Sequence, residues 1–475
     1  MKQRLAVVVG LFALTQPLSR AAAETPTEKR LRVLEEQLRK AQEEIQELKG
    51  QIEQQRAAGQ ATQKQAERAE VEAKTATAAQ KGLEVPEWLK RTTIVGDVRA
   101  RHEGFYHQPH MATQVVKGKP VRDVVTARNR ERIRARLAFK VAFSDEVSAM
   151  IRGASGDPDD PVVTNEDLKG NFSRKHFNLD WAYLTFTPGK TFGLRPGAAR
   201  VSLGKFGNPI FLVSELVFDD DLSPEGAFET LHVLGEPLGP LDQVKVHALQ
   251  WTFNEITNQE DGWMFGGQVN PTLHFGPAQL DAGVGQYWWL NADQIAQALN
   301  TNKVLRNSNL VTTTKDAKGN TVVTGYLSGF NQTNADLALT FPHVIGTQPV
   351  RLFTDFVYNW DAVNNDAYGY LGGVRLGQTK ARNDWSIYAF YERLEQESAI
   401  SAFSYSDFGP GGVKLGTAAP LGTTNLEGPV VGVEYQLLNP LTLSVRSHFT
   451  TFINRPAGVT NPTLTRLLLD AVVKF

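Results

Sequence analysis

The stretch "RNRERIRARLAFKVAF", residues 128–143, decides how this chain is read. Arg128, Arg130, Arg132, Arg134 and Arg136 stand at every second position. From Ile133 on, the positions between them are apolar: Ile133, Ala135, Leu137, Phe139, Val141 and Phe143. A period of two belongs to a strand, whose side chains point alternately to opposite faces. One face is a column of guanidinium groups and the other an apolar strip. A strand between hydrocarbon and water needs that pattern. In a bilayer every backbone N–H and C=O must be paired within the protein, so only helices and closed barrels cross it. Arginines turned toward lipid would cost about 2–4 kcal/mol each at mid-membrane. The apolar positions therefore face out, and Arg132, Arg134, Arg136 and Lys140 face a lumen.

The same alternation recurs from Thr92 to Phe475. In the first strand Ile94, Gly96, Val98 and Ala100 oppose Asp97, Arg99, Arg101 and Glu103. In a late one Leu441, Leu443, Val445 and Phe449 oppose Thr442, Ser444, Arg446 and His448. About sixteen such segments are expected, near 92–106, 128–143, 146–154, 176–187, 199–207, 226–235, 241–254, 263–275, 278–290, 331–342, 349–360, 368–378, 384–395, 429–438, 441–453 and 463–475. Tight turns follow the second, eighth and fourteenth ("SDE", "GP", "NP"). Long polar loops follow the first, third, fifth, ninth and thirteenth, at about 107–127, 155–175, 208–225, 291–330 and 396–428. Alternating long and short connections suit an up-and-down barrel with short periplasmic turns and long outside loops. Tyr106, Trp181, Trp288, Trp289, Tyr358, Trp360 and Trp385 near strand ends suggest interfacial girdles. The last segment puts Thr465, Leu467, Leu469, Ala471, Val473 and Phe475 on one face, against Arg466, Asp470 and Lys474. A C-terminal strand ending on Phe475 is similar to the assembly signal of bacterial outer-membrane barrels. A soluble β-sandwich with one wet face leaves the loop rhythm and that ending unexplained.

The N-terminal part reads differently. Lys2 and Arg4, an apolar run from Leu5 to Leu14 and small residues at Ala21–Ala23 form an export signal over residues 1–23. Residues 24–82 read as helix. Leu31, Leu38, Ile45 and Ile52 form one heptad row, with Leu34, Ala41 and Leu48 in the other, so a periplasmic coiled coil is expected. Residues 83–91 are a linker and 92–475 the barrel. The fold class is thus all-β: a transmembrane antiparallel barrel preceded by a short α-helical coiled coil.

Net charge over 475 residues is -1, which argues against a nucleic-acid partner. No cysteine is present, so thiolate chemistry, disulfides and cysteine-ligated metals are excluded. No HExxH, P-loop, GxSxG or glycine-rich dinucleotide turn occurs, and "DPDDP" at 157–161 lacks calcium-loop spacing. Neither an enzyme nor a cofactor or metal site is expected.

Taken in order, "GDVRARHEG", "RNRERIRARLAFKV", "LDWAYLTFTPG", "LGKFGNPI" and "FDDDLSPEGA" resemble the bacterial "Putative porin" family over residues 88–475. The resemblance implies an outer-membrane barrel forming a water-filled channel for small hydrophilic solutes or ions. General porins fold the loop after the fifth strand into the lumen. By that likeness "NPIFLVSELVFDDDLSPEG" becomes a constriction, with Glu215, Asp219, Asp220 and Asp221 opposite a wall of Arg99, Arg101, Arg132, Arg134 and Arg136. A coiled coil before the barrel is also similar to phosphate-selective porins, so an anion-selective channel stays open. A receptor, or a structural or adhesin barrel without an open channel, is the other alternative. The partners expected are outer-membrane lipid and lipopolysaccharide, the barrel-assembly machinery, two further copies in a homotrimer, and peptidoglycan reached by the helix.

Overall fold

The computed structural model describes residues 33, 36–37, 39–40, 43–44, 46–51, 59, 63–75, 87–112, 114–116, 119–121, 126–415 and 419–475. The chain divides between residues 85 and 86 into two units. In the first, residues 63–75 are helical, and Leu48 is exposed on a helical stretch. Leu31, Leu34, Leu38, Ala41, Ile45 and Ile52 lie outside the described residues, as does the segment 1–23 expected to be a signal.

In the second unit, alternation dictates the sheet. The strands are β1 (Thr92–Tyr106), β2 (Arg128–Ala142), β3 (Val147–Ser155), β4 (Phe177–Phe186), β5 (Ala199–Lys205), β6 (Glu225–His232), β7 (Leu241–Asn254) and β8 (Gly262–Phe275). They continue as β9 (Ala278–Leu290), β10 (Phe330–Ile345), β11 (Gln348–Asn359), β12 (Tyr368–Gly377), β13 (Trp385–Leu394), β14 (Leu426–Leu438), β15 (Leu441–Phe452) and β16 (Leu464–Lys474). Each pairs antiparallel with its neighbours in sequence, and β16 pairs with β1. Among the described residues this is a closed barrel of sixteen strands. The two-residue strand Glu166–Asp167 adds to it opposite Arg132 and Ile133. At the closure Gly96 and Phe475 exchange backbone hydrogen bonds of 2.9 and 3.1 Å. A Cβ on Gly96 would stand 2.5 Å from the Arg136 carbonyl and 2.7 Å from the Phe475 ring. No larger residue fits without displacing that edge.

Outward positions form an apolar band, as Ile94, Val98, Ile151, Leu203, Val284, Ile387, Val445 and Leu469 are exposed. Inward positions are buried: Asp97, Arg101 and Glu103 on β1, Arg132 and Arg134 on β2, Arg466 on β16. Trp288 and Trp360 stand exposed, as a girdle requires. Trp181 and Trp289 turn inward instead, donating to Ser223 Oγ and Gln332 Oε1. An indole with a lumenal acceptor gains more there than as one more ring in an outer belt.

The lumen also differs from a purely polar, water-filled one. Leu216, Val217 and Phe218, from the loop after β5, are buried against Leu249, Trp251, Met264 and Tyr287 of β7 to β9. Phe218 packs edge-on to Trp251 and Tyr287, at 5.5 and 5.2 Å between ring centroids. Each side chain so buried is worth about 1.5–3 kcal/mol, so the loop is anchored by a small core of its own. Gly204 and Gly226 flank it as cross-strand partners, with φ of 132° and 128°. A Cβ at either would lie 2.2 Å from a neighbouring backbone carbonyl oxygen. The two glycines let β5 and β6 bend where the chain leaves the wall.

Candidate functional site

The loop after β5, residues 206–224, crosses from one wall of the lumen to the other. Its first half is tied to β8, β10 and β11. Phe211 N donates to Gln268 Oε1 at 2.8 Å, Val213 N to Asp336 Oδ1 at 2.8 Å, and Ser214 Oγ to Asp355 Oδ2 at 2.5 Å. Its second half reaches β2. Asp221 Oδ1 accepts from Arg136 at 3.2 Å and lies 3.9 Å from Arg134, while Oδ2 accepts from Thr164 Oγ1 at 2.9 Å.

A second loop also enters. Residues 395–425, between β13 and β14, lie against the first: Tyr405 N donates to the Glu215 carbonyl and Asp219 N to the Phe403 carbonyl, at 3.0 and 2.8 Å. Asp219 Oδ2 accepts from Ser406 N at 2.7 Å. Asp407 then pairs with Arg101 at 2.9 Å and Arg466 at 2.6 Å. The sequence reading had this segment as an outer loop and missed Asp407. The available signal was composition. "SAISAFSYSDFG", residues 398–409, is made of small and apolar residues, which suits packing better than solvent.

The arginine column is neutralised residue by residue. Register sets Asp97 opposite Arg136, Glu103 opposite Arg130, but Arg99 opposite Arg134 and Arg101 opposite Arg132. Like charges directly across a sheet are destabilising, and acids from several elements intervene. Asp97 accepts from Arg134 Nε at 2.8 Å and Arg136 Nε at 2.6 Å. Arg132 lies 2.9 Å from Asp167, and Glu103 takes Arg130 and Arg466. Arg101 grips Asp470 through two bonds of 2.6 and 2.8 Å. Lys140 keeps the inward parity but is exposed near the short-turn end. Arg99 donates to the Asn165 side chain at 2.7 Å, and Arg446 to the Tyr388 and Tyr405 hydroxyls at 2.8 Å each. Neither has a carboxylate within ion-pair distance among the described residues.

Between these loops and the β1–β2 and β14–β16 walls lies a cavity of about 470 Å³. Cationic and carboxylate side chains line it in equal number, among them Arg99, Arg134, Asp221, Asp407 and Arg446. The acids are not equivalent. Burial, then the neighbouring carboxylates Asp219 and Asp220, pushes Glu215 well above the usual range. Burial and Asp221 do the same to Asp219, and more mildly to Asp220. Burial also works against Asp221 and Asp407. Arg134, Arg99 and Arg136 overcome it at Asp221, and Arg101, Arg466 and Arg446 at Asp407, so both are held low.

A closed antiparallel barrel with an apolar outer band, a charged lumen and loops folded inward defines an outer-membrane channel of the porin class. The chain belongs to the "Putative porin" family, whose model matches residues 46–326. None of the curated proteins matches it. Among solved structures, it is similar to OmpF of Salmonella typhi, in complex with daunomycin, at 9% identity, covering 81% of this chain and 97% of that one with a TM-score of 0.44. It is also similar to OprB of Pseudomonas putida (9%, 81% and 93%, TM-score 0.43). A third is the outer membrane channel DcaP of Acinetobacter baumannii (11%, 81% and 97%, TM-score 0.40). The barrel itself stands on the strand ladders of this chain.

Proposed function

We propose that this porin is a passive diffusion channel whose throat is formed by the two inward loops against the arginine column, and that it favours anions. The observation that carries this is the asymmetry of pairing in the 470 Å³ cavity. Asp221 and Asp407 are held ionised by the arginines they neutralise, Glu215 and Asp219 are pushed toward the neutral form, and Arg99 and Arg446 have no carboxylate within ion-pair distance among the described residues. A narrow, low-dielectric throat focuses the remaining positive field onto passing solutes. In this reading the exported chain sits in lipopolysaccharide-bearing outer membrane after the assembly machinery has read the Phe475 end. Its N-terminal helix stands in the periplasm within reach of peptidoglycan, and the barrels associate as trimers. Reconstituted protein in a planar bilayer tests it: stepwise ohmic conductance with an anion-directed reversal potential in a salt gradient is expected. Folded, inserted protein that never conducts favours the second reading, a receptor or structural barrel. The apolar packing of Leu216 and Phe218 across the lumen is the observation on that side.

A further inference from the structure

A second chamber opens off the main cavity, behind the first inward loop. It measures about 260 Å³ and shares Glu215, Asp220 and Arg446 with the larger space. Three guanidinium groups from separate strands line it: Arg351 of β11, Arg375 of β12 and Arg446 of β15. Apolar side chains line it too, with Phe353, Leu371 and Phe390 from the wall and Leu212 and Val213 from the loop. None of these positions stood out in the sequence as a site.

The three arginines differ in what satisfies them. Arg375 pairs with Glu434 at 2.8 Å and lies over the Tyr388 ring, 4.3 Å from its centroid. Arg446 has only the two phenol hydroxyls of Tyr388 and Tyr405, at 2.8 Å each. The Arg351 side chain has no hydrogen bond or ion pair among the described residues and leans on the Phe353 ring, 5.9 Å from its centroid. A guanidinium carries five N–H donors in a planar fork that fits a carboxylate through two parallel bonds. Two half-buried forks without counter-ions, held by packing against rings, are built to take an anion. The apolar wall says what the rest of the anion is. An inorganic ion would leave the half-buried Phe353 and Phe390 facing water, whereas a ring would cover them. The chamber is smaller than the roughly 300–1,000 Å³ of drug-sized pockets, which suits one ring and one carboxylate.

We propose that this chamber is a binding subsite for aromatic monocarboxylates, with the carboxylate on Arg351 and Arg446 and the ring against Phe353, Leu371 and Phe390. This deepens the porin reading by naming a solute class, and it rests on that reading for its route of entry. Glu215 and Asp220 border the chamber as well. Burial raises both above the usual carboxylate range, which lessens their repulsion of an incoming anion.

The test is benzoate titrated by isothermal calorimetry into the full-length protein folded in detergent, beside acetate, inorganic phosphate and benzylamine. Saturable benzoate binding is expected, at least tenfold tighter than acetate or phosphate, with no heat from benzylamine. Arg351→Gln with Arg446→Gln should weaken it tenfold or more. Arg446→Lys, which keeps the charge without the fork, should recover part of the loss. Phe353→Ala should bring benzoate down toward acetate, and it serves where the double variant does not fold. Benzoate binding unchanged in the arginine variants, or acetate and phosphate binding equally well, overturns the proposal. So does a preference for benzylamine. Conductance measured on the same preparation separates the two readings. Current without benzoate binding removes the subsite and leaves the channel, while binding without current removes the channel and leaves the subsite.

Discussion

Asp221→Asn is the sharpest test of how the throat is charged. Asp221 is held ionised by the arginines around it, with Arg136 at 3.2 Å and Arg134 at 3.9 Å. The substitution removes one full negative charge while keeping the shape. At about 6 Å from a passing ion, in a water-like dielectric, a unit charge is worth about 0.7 kcal/mol. That changes the local concentration of one ion about threefold. Anions and cations move in opposite senses, so their ratio changes by up to about tenfold, less with screening over a Debye length of about 10 Å at 0.1 M salt. In a tenfold salt gradient the reversal potential should move toward the anion limit by tens of millivolts. The barrel should survive, because Asp97 still accepts from both arginines at 2.8 and 2.6 Å. The lost charge-assisted hydrogen bonds cost roughly 1–3 kcal/mol. Asp219→Asn is the matched control. Asp219 is pushed well above the usual range by burial and by Asp221, and it spends its oxygens on Ser406 N and Asp221 N. Its removal should shift the reversal potential far less while loosening the contact between the two inward loops. Equal shifts from the two variants, or a larger one from Asp219→Asn, would refute the reasoning.

Other outcomes follow from the same geometry. Replacing Arg132, Arg134 and Arg136 by Gln should move the reversal potential toward cations, since Asp97 and Asp221 lose their arginine partners and Asp167 loses one of its own; no change would place these groups away from the conducting path. Lowering the pH toward the ordinary carboxylate value of about 4 should protonate Asp220, which is raised less than Glu215 and Asp219, while Asp221 and Asp407 stay charged, so anion preference should rise. The sign for stability is the same. A carboxyl raised in the folded state holds its proton more tightly there than in the unfolded chain, so its contribution is full below the unfolded value and lost as pH rises through the folded one. Urea unfolding of Glu215→Gln, compared with the wild type, should show a weaker loss of stability across that window. Gly96→Leu, aimed at the Arg136 carbonyl and the Phe475 ring, should lower the yield of folded barrel on a heat-modifiability gel, whereas Val98→Leu on the same outward face should not. Deleting residues 24–82 should leave a conducting barrel and weaken the oligomer on native gels; an unchanged oligomer would assign association to the barrel walls.

What the sequence disclosed and what it hid have one physical cause. Water on one face and hydrocarbon on the other impose a period of two on every strand, and that constraint is local. It can be read in Ile133, Ala135 and Leu137 against Arg132, Arg134 and Arg136 without knowing any partner. Inward loops obey no period. The segment 206–224 drew notice through its Asp219–Asp221 run and its likeness to other porins, while 395–425 has no charge run and passed for an outer loop. A column of like charges on one strand does require acids from elsewhere, so the demand was visible at Arg128–Arg136. The inward parity of Asp97, Glu103 and Asp470 and the acidic run holding Asp221 were legible too, but not which arginine each would meet, and Asp167 and Asp407 gave no such signal. Asp97 and Glu103 come from β1, Asp167 from the short strand beside β2, Asp221 from the first inward loop, Asp407 from the second, and Asp470 from β16. Arg101 meets Asp470 across 369 positions and Asp407 across 306. Such pairings exist only after the barrel closes. Which arginines stay unpaired, and so which of them can greet a solute, is therefore a property of the closed ring. Arg446 shows this most plainly. On its strand it is one more inward charge, and only the arrival of Tyr388 and Tyr405 in place of a carboxylate leaves it free to bind an anion.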